Sequence, residues 1–153
     1  MRLIITESQY KKLIKEDDSQ IEYTSEFLDE VTVVVVFEDD PLYDQVEGFF
    51  EEYGFGFMVP GKNLIIIDGQ ILEGQPDATS ILKFIEAHEI THVLLGHDGP
   101  RDEKDELEAD LGAYLLLQDK GYYEPIRILL DHFQERHGVE FDESMLNDIK
   151  DRM

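Results

Sequence analysis

Hydrophobic positions recur with two different periods, and the change between them divides the chain. Thr6 followed by Gln9 makes a capping box, and Tyr10, Leu13 and Ile14 form a short apolar stripe behind it. Residues 6–16 therefore predict a helix, which the acidic, polar stretch 16–20 ends. The β-branched run 31–36 predicts a largely buried strand, and Pro41 then opens a helix that stops near Gly54. Residues 55–59 and 64–67 read as two strands joined through the turn formers Pro60, Gly61, Lys62 and Asn63, which makes a hairpin.

From Asp77 onward the period becomes helical. Ile81, Leu82, Ile85, Glu89 and His92 fall at three- and four-residue steps, giving an amphipathic helix with Gly96 as its stop. Residues 102–120 predict a second helix, whose acidic first turn suits the positive end of the helix dipole and which Gly121 closes. A third runs from about 122 to 137 and ends at Gly138; Asp142 then caps a short helix carrying Met145, Leu146 and Ile149. The plan is α+β: a small sheet first, helices after. One domain is expected over 1–153, with a helical arm at 1–20, a sheet-rich part at 21–76 and a helical part at 77–153.

Composition narrows the chemistry. At 153 residues and 42% hydrophobic, the chain can bury one sizeable core. Its 36 acidic and 13 basic residues give a net charge of -23, a field that repels nucleic-acid phosphates and anionic lipid surfaces, so neither is expected as a partner. With no cysteine, disulfides, thiolate metal sites and cysteine nucleophiles are excluded together, and any metal must be held by His, Asp or Glu. The apolar stretch 3–5 is too short for a signal-peptide core and 31–37 falls far below a membrane span, so a cytoplasmic setting is expected.

One pentapeptide carries the chemistry. His88-Glu89-Ile90-Thr91-His92 matches His-Glu-x-x-His, and on a helix its two histidines stack on one face, where both imidazoles reach one zinc ion. Glu89 lies one position round from His88, beside the metal rather than on it, placed to take a proton from water that the metal has acidified.

Catalytic zinc needs a third protein ligand and an open fourth position. His97 falls one residue too early for the longer three-histidine pattern and is expected to meet exposed carbonyls at the helix end. Glu106 is the preferred ligand because it begins the next helix, which can fold back across the first. Glu103, Glu108 and Asp105 compete as members of an acidic run of the kind that usually faces solvent, with Glu108 as the reserve. Asp110, one turn beyond Glu106, suits the free ring nitrogen of a ligand histidine, and Ala109 allows close helix approach. Tyr114, Tyr122, Tyr123, His132 and His137 are candidates to stabilise an oxyanion, against a background expectation of packing or surface roles. A mixed His and carboxylate site would also accept manganese, cobalt or nickel.

The segments HEITHVLLGH and ELEADLGAYLL together resemble the gluzincin metallopeptidases, especially compact ImmA/IrrE-type proteins and the soluble core of CAAX-prenyl-type endopeptidases. Those families pair His-Glu-x-x-His with Glu-x-x-Ala-(Asn or Asp). The likeness covers residues 81–117 and implies ligands His88, His92 and Glu106, base Glu89, and Asp110 as orienting partner. It also implies a short twisted sheet lying over the active-site helix, with residues 64–67 as the edge strand that binds an extended peptide or protein substrate. Asp110 stands where the ImmA/IrrE pattern usually has Asn, and the likeness does not extend before Asp77. The opening MRLIITESQYKKLI is similar to leaders of tailed-phage proteins.

Two rival readings accompany a zinc-dependent peptidase. One is an interaction protein that keeps the scaffold and the metal but acts by binding, through an acidic recognition surface; an intact Glu89 weighs against it. The other makes residues 1–20 a removable arm that holds the peptidase latent, against the plainer role of a packed or tethering helix.

Overall fold

The computed structural model describes residues 21–59, 61–97 and 102–153. The expected helix at 6–16, the arm that contains it, and Pro60 lie outside those residues. The architecture is α+β, with a four-stranded mixed sheet and, among the described residues, five α-helices. The chain divides after Pro76 into two compact units.

The first unit holds the sheet. β1 (Ile21–Thr24), β2 (Thr32–Val36), α1 (Pro41–Tyr53), β3 (Gly56–Val59) and β4 (Leu64–Asp68) follow in chain order, and the strands lie side by side as β1-β2-β4-β3. β2 and β4 run parallel, with Val34 opposite Ile66, while β1 and β3 flank them antiparallel. α1 starts where Asp40 accepts a hydrogen bond from the Leu42 amide with Pro41 in the first turn, and it ends at Gly54, whose φ of 100° suits a residue without a Cβ. Its apolar face meets one face of the sheet: Leu42, Val46 and Phe50 pack with Val34, Val36, Phe57, Val59, Leu64 and Ile66. A short 3₁₀ turn, Gly69–Leu72, follows β4, and Tyr43 donates from α1 to Gln70 at 2.8 Å.

The hairpin of β3 and β4 forms as expected, with Gly61 and Asn63 at positive φ in its turn. Residues 64–67, however, are not an edge. β4 is paired on both sides, and among the described residues the edges are β1 and β3. The reason is visible in the composition of the strands. Leu64, Ile65, Ile66 and Ile67 are apolar on both faces, as are Val33 to Val36, and such runs belong in the interior of a sheet. The shorter, more polar Ile21–Thr24, mostly exposed, takes the outer place.

The second unit is helical: α2 (Ala78–Leu95), α3 (Glu103–Lys120), α4 (Tyr123–His137), the 3₁₀ turn Glu143–Met145 and α5 (Leu146–Arg152). Gly96, Gly121 and Gly138 end the three long helices, each in the left-handed conformation that closes a helix. Asp102 caps α3 through the Asp105 amide at 2.8 Å, and Asp142 accepts from the Ser144 amide at 2.9 Å. α2 is not amphipathic in its second half. Every residue from Ile85 to His92 is buried, because α3 and α4 both pack against this helix. No helix among the described residues is long and apolar enough to cross a membrane.

α2 and α3 approach closely because α3 carries a glycine at the crossing. A Cβ on Gly112 would lie 2.2 Å from Thr91 Cγ2, so no side chain fits while Thr91 stays in place. Thr91 is held by its own hydroxyl, which donates to the Ala87 carbonyl at 2.9 Å. Ala109 is also fully buried, but the tightest fit is at Gly112.

Candidate metal centre

The close crossing brings the first turns of α3 to the buried face of α2. His88 Nε2 lies 3.2 Å from His92 Nε2 and 3.1 Å from Glu106 Oε2, and His92 Nε2 lies 3.2 Å from Glu106 Oε1. The two imidazole nitrogens thus lie side by side, and each faces its own oxygen of the Glu106 carboxylate. A tetrahedral zinc ion with bonds of about 2.0–2.1 Å sets its ligand atoms about 3.3 Å apart. The spacings here are close to that, and the donors, two imidazole nitrogens and one carboxylate, are those zinc accepts.

Asp110 sits behind His88. It is fully buried, its Oδ1 is 2.7 Å from His88 Nδ1, and its Oδ2 is 2.6 Å from His137 Nε2 and 3.1 Å from Arg136 Nε. Acceptance by Asp110 places the Nδ1 proton of His88 and leaves Nε2 aimed at the other two donors. Arg136 in turn lies over the Phe84 ring, 5.5 Å from its centroid.

The electrostatics follow from these contacts. Burial alone would lower the pKa of His88, but its hydrogen bonds to Asp110 and Glu106, with the nearby charges of Asp110 and Glu89, push it up to about 9 in the metal-free chain. Burial would raise Glu106, yet hydrogen bonds from His88 and His92 hold its carboxyl well below the usual carboxylate range. Asp110 is likewise lowered against its burial by hydrogen bonds from His137 and His88. Each carboxylate is thus held charged by the groups it holds.

Glu89, the expected base, is buried beside His88 on α2 and is one of the negative charges that His88 senses. Glu106 remains open, its side chain 34% exposed, and forms part of the wall of a cavity of about 830 Å³ together with Leu107, Arg136, His137 and Val139. Solvent therefore reaches these donors from the Glu106 side.

Two expectations about this region need correcting. His97 does not turn its side chain to helix-end carbonyls; its ring bridges α2 and α3, with Nδ1 2.9 Å from His92 Nδ1 and Nε2 2.9 Å from Glu108 Oε1. Glu108 is not a solvated member of an acidic run but is buried at 7% exposure and is paired with Arg152 of α5. The Arg152 hydrogen bonds, foremost, hold the Glu108 carboxyl below its ordinary range. Gly96 ends α2 in a left-handed turn, and the His97 ring lies beside His92 and against Glu108 in the second turn of α3.

Among the residues considered for an oxyanion, Tyr123 is 73% exposed, His132 is an exposed neighbour of Glu135, and Tyr114 stacks on Phe141 with centroids 4.9 Å apart. His137 differs, since it is buried against Asp110. Sequence reasoning missed Arg136, Arg152 and the role of Glu108. Basic residues in the last turn of a helix ordinarily complement its dipole, and no local pattern told these apart. Comparison of the chain with protein-family models, with curated proteins and with solved structures returns no match.

Proposed function

We propose that this protein is a zinc-dependent metallopeptidase of the gluzincin type. One observation carries the reading: two histidine Nε2 atoms 3.2 Å apart, each 3.1–3.2 Å from an oxygen of one carboxylate, with a buried carboxylate orienting one of the histidines. His88, His92 and Glu106 would hold the ion. When bound, zinc supplies a Lewis acid that acidifies water and draws charge from a substrate carbonyl. Glu89 takes the proton from the attacking water and later passes it to the departing amine, so it must be charged before the step and neutral during it. Asp110, with Arg136 and His137 behind it, keeps the His88 ring from rotating as charge shifts. The cavity beside Glu106 gives a peptide its approach, and its apolar wall at Leu107 and Val139 accepts a side chain next to the scissile bond.

The test is Glu89→Gln. The variant retains one zinc per chain by elemental analysis and loses turnover of a susceptible peptide by roughly 10²–10⁴-fold. Turnover at the wild-type rate excludes the mechanism. The rival reading, a zinc-binding interaction protein, gives the metal without any turnover in the wild type, so a peptide-library digest with and without chelator separates the two.

A further inference from the structure

A histidine that ligates through one ring nitrogen must settle the proton on the other, and the structure shows where each goes. Building on the zinc reading above, we propose that His97 is the positioning residue for His92, the middle of a hydrogen-bonded line that runs through Glu108 to Arg152 on α5.

The direction of each bond follows from the first. For His92 to offer a lone pair at Nε2, which faces His88 Nε2 and Glu106 Oε1, its proton must lie on Nδ1. That nitrogen is 2.9 Å from His97 Nδ1, so His92 donates and His97 accepts. The proton of His97 is then on Nε2, which is 2.9 Å from Glu108 Oε1 and 3.5 Å from Asp105 Oδ1, and it donates to Glu108. Glu108 also accepts from Arg152 through both oxygens, Nη1 to Oε2 at 2.5 Å and Nη2 to Oε1 at 3.1 Å. Every N–H along the line meets an acceptor. The opposite tautomers would point the His92 proton at the metal position and leave the His97 Nε2 lone pair facing the Glu108 carboxylate.

The two histidines are thus backed in parallel ways. His88 is oriented by a carboxylate directly, and that carboxylate is compensated by Arg136; His92 is oriented by a carboxylate through one intervening imidazole, and that carboxylate is compensated by Arg152. The His92 and His97 rings meet at 64° with centroids 5.1 Å apart, an edge-on approach that suits a hydrogen bond in the ring plane.

His97, Asp105 and Glu108 also have the composition of a second cation site, with donor atoms within 4.8 Å of one another. Arg152 argues against it. A guanidinium already on both Glu108 oxygens supplies the positive charge there and would repel a divalent ion.

Zinc affinity of the full chain, measured by competition with a chromophoric chelator, and the visible bands of the cobalt-loaded chain test the line together. His97→Ala lowers affinity roughly 10–100-fold and alters the cobalt bands, and His97→Asn, which restores an acceptor near the Nδ1 position, recovers most of both. Wild-type affinity and spectrum in His97→Ala overturn the proposal and leave the zinc reading standing. A wild type that binds no zinc removes both, and two zinc ions per chain overturn the line by giving the cluster to a cation. If His97→Ala does not fold, Arg152→Gln decides: a measurable affinity loss with shifted bands supports the line, and wild-type values refute it.

Discussion

At His88 a proton and a metal compete for the same nitrogen. With its pKa raised from 6.5 to about 9, the metal-free ring is charged at neutral pH and donates to Asp110 and to Glu106. Zinc must expel the Nε2 proton, so its affinity should climb as pH rises and level off above about 9. Stability of the metal-free chain has the opposite sign. A raised folded-state pKa contributes fully below 6.5 and fades as pH rises towards 9, whereas the lowered Asp110 contributes above its ordinary 3.8 and is lost in acid. In chelator, the melting-temperature gap between wild type and Asp110→Asn should therefore be widest between those two limits and shrink from pH 6.5 to 9; a gap that widens there would contradict the contacts. With zinc, Asp110→Asn should weaken binding roughly 10–100-fold by the same competition assay. How far this site was legible follows from spacing. His88, Glu89 and His92 fall within about one turn of one helix, so spacing picked them out; Glu106 and Asp110 share one face of the next, and they were preferred over their acidic neighbours with the help of the family likeness. His97 and Glu108 were misjudged because their partners are each other and Arg152, 44 residues beyond Glu108.

The elements show what aligns those residues. α3 can present Glu106 and Asp110 to α2 only because Gly112 lets the two backbones close on Thr91. Gly112→Ala puts a methyl group into that space and should cost about 1–3 kcal/mol, read as a lowered urea midpoint at unchanged slope. Thr91→Ala removes the obstructing atoms, so the double variant should recover part of the loss; simple additivity of the two effects would show that the contact is not what makes the glycine necessary. Helix boundaries were readable from Pro41, Gly54, Gly96, Gly121, Gly138 and Asp142, since such signals act locally. The sheet was less so. Residues 64–67 carried their place in being apolar on both faces, yet the expectation drawn from family likeness put them at the edge, and the short strand Ile21–Thr24 has too few apolar residues to announce itself.

Across the molecule the dominant fact is charge. A net charge of -23 on 153 residues means that folding concentrates like charges, and screening relieves that cost. The melting temperature should rise between low salt and about 0.5 M sodium chloride, in calorimetry at pH 7. A fall would mean that local ion pairs such as Arg152 with Glu108 outweigh the overall repulsion. Three acidic groups at the centre, Glu89, Glu106 and Asp110, are among those charges, and a divalent ion there would offset them where the surface cannot. The most direct test is a crystal of the zinc-loaded chain measured on either side of the zinc absorption edge. The expected result is one anomalous peak about 2.0–2.1 Å from His88 Nε2, His92 Nε2 and a Glu106 oxygen, with no further protein ligand. A peak elsewhere, or one enclosed by a fourth side chain, would contradict the assignment.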